Sequence, residues 1–239
     1  MGELARMARE LTLAAQGGRT GVLDRLCAVC ARTLPVDGAA IAMMATAGRP
    51  MARSASSTGV ARLEELQFTL GEGPALAAFA ERETVVAADL RHPDVRWPVF
   101  ASQASPRDPQ DQGFRAVYAF PLVLGHVPLG VLDLYRRAPG GLDPELHTQA
   151  RLAVDTVALA VVGSAAPVDD AGLPRWLDEA LGDQVEVDQA VGMVMVQLGL
   201  EPEPALARMR AHAFAHGLMI GEVAQAVVDR RLRFSPEDK

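Results

Sequence analysis

The sequence predicts an α+β domain, an antiparallel sheet flanked by helices, followed by an all-α domain of three helices. Two observations carry this. Through the first two thirds of the chain the order is helix, helix, strands, helix, strand, loop, strands, helix, which is the pattern of an antiparallel sheet with helices packed on it. A stretch with Pro167, Asp169, Asp170 and Gly172 then interrupts the pattern, and after it no strand signal returns. The expected division is 1–165 for the first domain, 166–173 for a linker and 174–239 for the helical domain, in keeping with common domain sizes.

Residues 3–15 and 20–34 read as amphipathic helices separated by Gly17 and Gly18. Ala39 to Met44 is a short apolar run, hence a strand, with Met51 to Ser56 as its hairpin partner. Ala61 to Leu70 has a mixed pattern that Gly71-Glu72-Gly73-Pro74 ends, and Pro74 suits the first position of a helix running to Ala80. Thr84 to Ala88 is β-branched and apolar. Residues 89–113 are proline-rich and loop-like, with Trp97 and Phe100 inside them. Arg115 to Leu124 and Leu129 to Tyr135 form a hairpin turning at Gly125-His126. Leu142 to Gly163 is a long helix with Leu146, Ala150, Ala153, Val157 and Val161 on one face.

In the second domain, helices are expected at about 174–198, 204–216 and 219–232, with Gly199 and Gly217 as their stops. Gly182 followed by Asp183 and Glu186 reads as a break and a new helix start. Met209, Phe214, Val223 and Val227 are the large apolar groups available to fill so small a bundle. Leu173, Leu177, Ala180, Gln184, Val187, Val191, Val194 and Leu198 fall at heptad spacing, which suits a helix–helix seam and predicts a homodimer. The alternative is packing within the chain.

No apolar run is long enough for a membrane helix and the N-terminus is unlike a signal peptide, so the expected location is cytoplasmic. The two cysteines, Cys27 and Cys30, share the apolar stripe of one helix and read as core packing, with no further ligands to complete a metal site. Neither a nucleophile elbow nor a phosphate-binding loop nor an acid/base carboxylate pair is recognisable, so no catalytic residue is assigned. The formal net charge is −7, against bulk electrostatic binding of nucleic acid by the whole chain. Yet residues 205–234 carry five Arg against Glu222 and Asp229. Arg208, Arg210, Arg230 and Arg231 either form a solvated face or grip phosphate with their planar donor forks. His212 and His216 share a face at i, i+4. In the first domain Asp89, His92, Trp97 and Phe100, facing the strand with Tyr118, mix charge and aromatics as ligand pockets do; the aromatics could equally plug the core.

Leu66-Gln67-Phe68-Thr69-Leu70-Gly71-Glu72-Gly73-Pro74, Asp89-Leu90, Arg96-Trp97-Pro98, Phe120-Pro121-Leu122 and Leu129 through Tyr135 resemble the GAF domains that precede ANTAR domains in actinobacteria. Relatives often carry Cys after the Glu-Gly-Pro, where this chain has Ala75. The run Gln189-Ala190-Val191-Gly192-Met193-Val194-Met195, then Leu198-Gly199, Met209 through Phe214, Glu222-Val223-Ala224 and Val227-Val228, resembles an ANTAR domain. Val191, Leu206 and Leu218 stand where many relatives have Lys, an aromatic and a basic residue.

The resemblance implies a non-enzymatic transcription antitermination regulator that recognises stem-loops in nascent mRNA, under control of a small-molecule ligand or other input to the GAF domain. No cofactor is named by it. Its RNA contacts are expected from Arg208, Arg210, His212, Arg230 and Arg231, with Gln189 as a further candidate. Two alternatives stay open: a protein-interaction or sensor module that binds no RNA, and a GAF-type methionine sulfoxide reductase.

Overall fold

The structure is a computed structural model describing residues 2–16, 21–44, 50–92, 96–104, 113–163 and 182–235. The expected linker and heptad positions Leu173, Leu177 and Ala180 lie outside the described residues. Two helices open the chain, α1 (Gly2–Gln16) and α2 (Val22–Thr33). β1 (Gly38–Met44) and β2 (Pro50–Ala55) follow, then α3 (Thr58–Leu70), α4 (Pro74–Glu81), β3 (Val85–Ala87) and α5 (Pro98–Ala104). The hairpin β4 (Ala116–Leu124) and β5 (Val127–Arg136) leads into α6 (Pro144–Gly163).

The strands form one antiparallel sheet in the order β2-β1-β5-β4-β3. Both faces are covered, which is why β1 is apolar and buried at every position. Alternate residues point to opposite faces. Ile41, Tyr118, Phe120, Leu132 and Leu134 pack with Leu11, Leu26, Cys27 and Cys30 and with Leu146, Ala150, Ala153, Val157 and Val161, so α1, α2 and α6 cover one face. Ala40, Ala42, Val117, Ala119, Val131 and Tyr135 pack against α3, α4 and α5 on the other. Gly130 is required by this sheet: a Cβ there would come within 2.1 Å of the Ala42 carbonyl oxygen on β1.

Two elements differ from expectation. The mixed stretch around 61–70 is a helix that begins earlier, at Thr58, where the Ser57 hydroxyl accepts from Val60 N–H at 3.3 Å. Its pattern is mixed because residues 66–69 are buried all round the helix, by the sheet on one side and by the second domain on another. The supposed loop 89–113 contains α5, which carries Phe100 into the core.

The second domain is a three-helix bundle, α7 (Gly182–Leu198), α8 (Pro202–His216) and α9 (Ile220–Val228). Gly217 ends α8 in the left-handed region at φ 66°, as the sequence predicts. The last helix stops at Val228, four residues short of expectation. Arg230 adopts φ 59°, which reverses the chain and folds Phe234 back into the bundle, its N–H donating to Gln197 Oε1 at 2.8 Å. Met209, Val223 and Val227 are buried as expected, but Phe214 is not, being 55% exposed. The aromatic filling comes from outside the three helices, from Phe234 and from Phe68 of α3.

Val187, Val191 and Val194 face this same core, packed on α8 and α9. The apolar stripe of α6 is likewise spent on the sheet. Among the described residues, Val187, Val191 and Val194 of the heptad and the α6 face are thus packed within the chain.

Candidate functional site

The Arg-rich segment presents its arginines in two groups. Arg208 and Arg210 lie on α8 and are half-buried; Arg230, Arg231 and Arg233 lie after α9 and are exposed. His212 joins the two groups: its ring stacks on His216 at 4.0 Å between centroids and meets Phe234 edge-on at 5.4 Å. The reversal at Arg230 thus returns the arginine-bearing tail to the bundle, where Phe234 meets His212 of α8 and Gln197 of α7. Arg231 pairs with Asp229 at 3.0 Å, with both side chains largely solvated. Gln189 is exposed on α7.

Arg210 points elsewhere. Its guanidinium carbon lies 5.1 Å from the centroid of the Phe68 ring, and a Cβ on Gly71 would come within 3.0 Å of its Nη1. Arg53 of β2 lies 6.0 Å from the same ring. The contact between domains is extended by Thr69, whose Oγ1 accepts from Ile220 N–H at 3.1 Å at the start of α9. Gly221 sits against Glu65, where a Cβ would be 3.1 Å from Oε1. Beside this junction a cavity of about 700 Å³ is lined by Arg62, Leu66 and Phe114 from the first domain and by Phe214 and Leu218 from the second.

Of the expected pocket residues, the structure brings four together. Asp89, His92, Trp97 and Phe100 line a cleft of about 370 Å³ beside β3. Tyr118 is not among them: it lies on the opposite face of the sheet, in the α6 core, and donates to the Gly140 carbonyl at 2.9 Å. The period of two along β4 put it there, one residue out of phase with Val117 and Ala119. Trp97 and Phe100 are buried, with Arg96 stacked 4.7 Å from the Trp97 ring. Burial works against ionisation of Asp89, but the two-pronged Arg115 guanidinium and the Arg91 amide more than offset it, so its carboxyl lies below the usual range. Asp89 and Arg115 thereby pin the start of the loop to β4.

The floor of the cleft is tied to the domain junction. Glu72 Oε1 accepts from Val99 and Phe100 N–H, at 2.8 and 2.7 Å, at the N-terminus of α5. Glu72 follows Gly71, the residue against Arg210. Gly73, at φ 144°, admits no side chain, since a Cβ would fall 2.4 Å from Gln67 Oε1. That oxygen accepts from Ala75 N–H at 2.8 Å.

Sequence reasoning missed a polar cluster under α3. Glu64 and Gln67, one turn apart, meet Asp133 and Tyr135, two apart on β5, and all four are buried. Tyr135 donates to Glu64, and Gln67 Nε2 donates to Tyr135 Oη at 3.3 Å. Among the described residues Asp133 meets no hydrogen-bonding side chain but the Glu64 carboxyl beside it. Burial, together with the neighbouring Glu64 carboxyl, pushes the Asp133 carboxyl well above its usual range, and burial raises Glu64. Two carboxyls so placed cannot both ionise cheaply. The signal was there in Leu132-Asp133-Leu134-Tyr135: in a strand covered on both faces, the polar pair must be buried with its neighbours. The space beside the cluster is only about 10 Å³, so it is closed to any ligand in this state.

Cys27 and Cys30 lie in the core, and burial pushes both thiols up to about 12, far from the thiolate a nucleophile needs. Among the described residues no cluster of His, Cys, Asp and Glu is placed to hold a metal, and no helix is long and apolar enough to cross a membrane.

Comparison with known proteins accords with this architecture. The family model described as a GAF domain matches residues 18–162, and that described as an ANTAR domain matches residues 176–228. No curated protein matches the chain in sequence. Similar solved structures include the GAF domain region of a Geobacter sulfurreducens protein, at 19% identity and TM-score 0.48, covering 64% of this chain and 96% of that one. The GAF domain of an Acinetobacter phosphoenolpyruvate-protein phosphotransferase matches at 14% identity and TM-score 0.48, covering 70% and 96%. The free methionine-R-sulfoxide reductase of Neisseria meningitidis, solved with its substrate, matches at 14% identity and TM-score 0.47, covering 67% and 89%. The chain belongs to the GAF domain family, and its GAF domain is followed by a C-terminal ANTAR domain, joining a sensor module to an RNA-binding antitermination module.

Proposed function

We propose that this protein is a signal-responsive transcription antitermination regulator that binds stem-loop RNA through its ANTAR domain under control of the GAF domain. The observation that supports it best is the Arg-bearing reversal after α9. Inside an acidic protein, Arg230, Arg231 and Arg233 are exposed and held beside α8 by the His212–Phe234 contact. Arg208, His212 and Gln189 extend this surface. Guanidinium forks suit phosphate oxygens and can stack on unpaired loop bases. The input is a small molecule taken in the cleft of Asp89, His92, Trp97 and Phe100, whose volume is near the lower end for such sites. The protein acts in the cytoplasm, where nascent mRNA is made.

A homodimer would present two RNA-binding heads to paired stem-loops, with a gain in avidity. Its contact must lie outside the Val187, Val191 and Val194 stripe. Leu13 on α1 and Leu159 on α6 are exposed large apolar groups on adjacent helices and are the favoured place.

The testing experiment is filter binding of an RNA with two short stem-loops across a salt series. Submicromolar, salt-dependent binding supports the reading. No binding at low salt, by wild type or by any variant that separates the domains, rejects it in favour of a protein-interaction role.

A further inference from the structure

The two domains are joined at Arg210, one of the arginines expected to contact RNA. Arg210 is one of the two arginines of α8, and its guanidinium lies over the Phe68 ring. We propose that Phe68 occupies the place of an unpaired RNA base on Arg210, so that the docked arrangement is closed to RNA and α3 must withdraw before Arg210 can stack on a loop nucleotide. This rests on the RNA-binding reading above and names how that surface is regulated.

The chemistry of the contact carries the inference. An aromatic ring at about 5 Å from a guanidinium is the geometry by which Arg also receives a nucleobase. Phe68 is a residue of the GAF domain, yet it is buried in the ANTAR core cluster, 3% exposed, among Val187, Met209 and Val223. The ANTAR domain's own Phe214 stays in solvent, so the bundle uses a borrowed aromatic while leaving one of its own outside. The other contacts join apolar and polar groups: Met219 packs against the GAF core, Thr69 meets the Ile220 amide, and Glu65 lies beside Gly221. Opening exposes Phe68, so the docked state prevails until a ligand that favours the open state offsets that burial.

The sensor cleft has a route to the latch. Glu72 holds the amide ends of α5, which bears the cleft residue Phe100, and the next residue back, Gly71, abuts Arg210. A ligand that shifts α5 pulls on Glu72 and so on the last turn of α3. The inner face of that same helix carries Glu64 and Gln67. One helix thus reads the sensor interior on one side and covers Arg210 on the other.

The test uses the full chain with substitutions at Gly221, which touches neither Phe68 nor Arg210. Gly221→Glu sets a like charge against Glu65 and loosens the junction. Gly221→Arg pairs with Glu65 and tightens it. RNA affinity is read by fluorescence anisotropy on a labelled RNA with two stem-loops, and opening is read by hydrogen exchange at the Ile220 amide. The latch predicts that Gly221→Glu binds RNA about fivefold or more tighter than wild type and Gly221→Arg about fivefold weaker. Simple charge attraction predicts the reverse order, so the sign decides. Phe68→Ala is the second arm: it must also tighten binding, and adding Arg210→Ala must erase that gain.

If the Ile220 amide exchanges faster in Gly221→Glu while affinity is unchanged or falls, the latch is wrong and the RNA reading stands. Equal affinity of Phe68→Ala and wild type, with the chain folded by circular dichroism, overturns it in the same way. Absence of RNA binding in every variant removes the RNA reading and the latch together.

Discussion

The Arg210 guanidinium on α8 lies across the ring of Phe68 on α3, 5.1 Å from its centroid, and this contact crosses from the ANTAR domain into the GAF domain. A charged group that the sequence places on a solvated helix face is instead half-covered by a neighbouring domain. Arg208, two residues earlier, and the exposed Arg230 and Arg231 remain on the bundle's own surface. The arginines therefore divide into those borne on the bundle's own surface and one set against the neighbouring domain.

That division predicts unequal effects. Changing Arg230 and Arg231 together to Ala should weaken RNA binding and flatten the log–log salt slope by roughly one to two units, near 0.7 for each single-strand phosphate released. Stability should hold within about 0.5 kcal/mol, since both side chains are exposed. A salt slope identical to wild type would place the phosphate contacts elsewhere.

The buried carboxyl at Asp133 makes the GAF domain sensitive to pH. Its folded-state pKa is raised by burial and by Glu64, so the folded protein holds a proton there that the unfolded chain releases. Stability from this group is complete below the unfolded carboxyl range, near pH 4, and is lost as pH rises through the folded value. Asp133→Asn, a neutral isostere of the protonated acid, should raise Tm at pH 8 more than at pH 5. An equal shift at both values would mean that Asp133 is ionised in the fold.

Trp97 is 5% exposed and packs in the α3–α5 core. Trp97→Ala should cost about 3–5 kcal/mol, the usual range for a buried large aromatic. Thermal melting of the full chain should show a large drop in the GAF transition. A mild effect on melting with a changed response to ligand would make Trp97 a lid and not a plug.

Val187 faces the ANTAR core at 4% exposure. Val187→Asp should therefore unfold the bundle, seen as lost helical signal, because an unpaired buried charge costs several kcal/mol. Sedimentation at micromolar concentration should show any dimer of the 25.4 kDa chain persisting in a Leu146-to-Val161-intact GAF domain. Dissociation into folded monomers would restore the heptad as an intermolecular seam.

The sequence by itself determined the α+β-then-α order, the β4–β5 hairpin, Pro74 and Gly217 as helix boundaries, and the apolar faces of α2 and α6. These rest on local signals: a period of two or of 3.6, a proline that fits only a first turn, a glycine that takes a left-handed φ. Tertiary structure alone decided the rest. Periodicity tells that Val187, Val191 and Val194 want burial, but not whether a second chain or α9 buries them. It could not say that Phe68 would fill the bundle in place of Phe214, because the two domains compete for the same apolar volume only once packed. Arg230 turns the chain back through a left-handed φ that its residue type rarely takes, held by Phe234 docking some residues later. Asp133 reads as a strand residue, and only the closing of α3 over the sheet, from 69 residues away, sets Glu64 beside it and makes its charge costly.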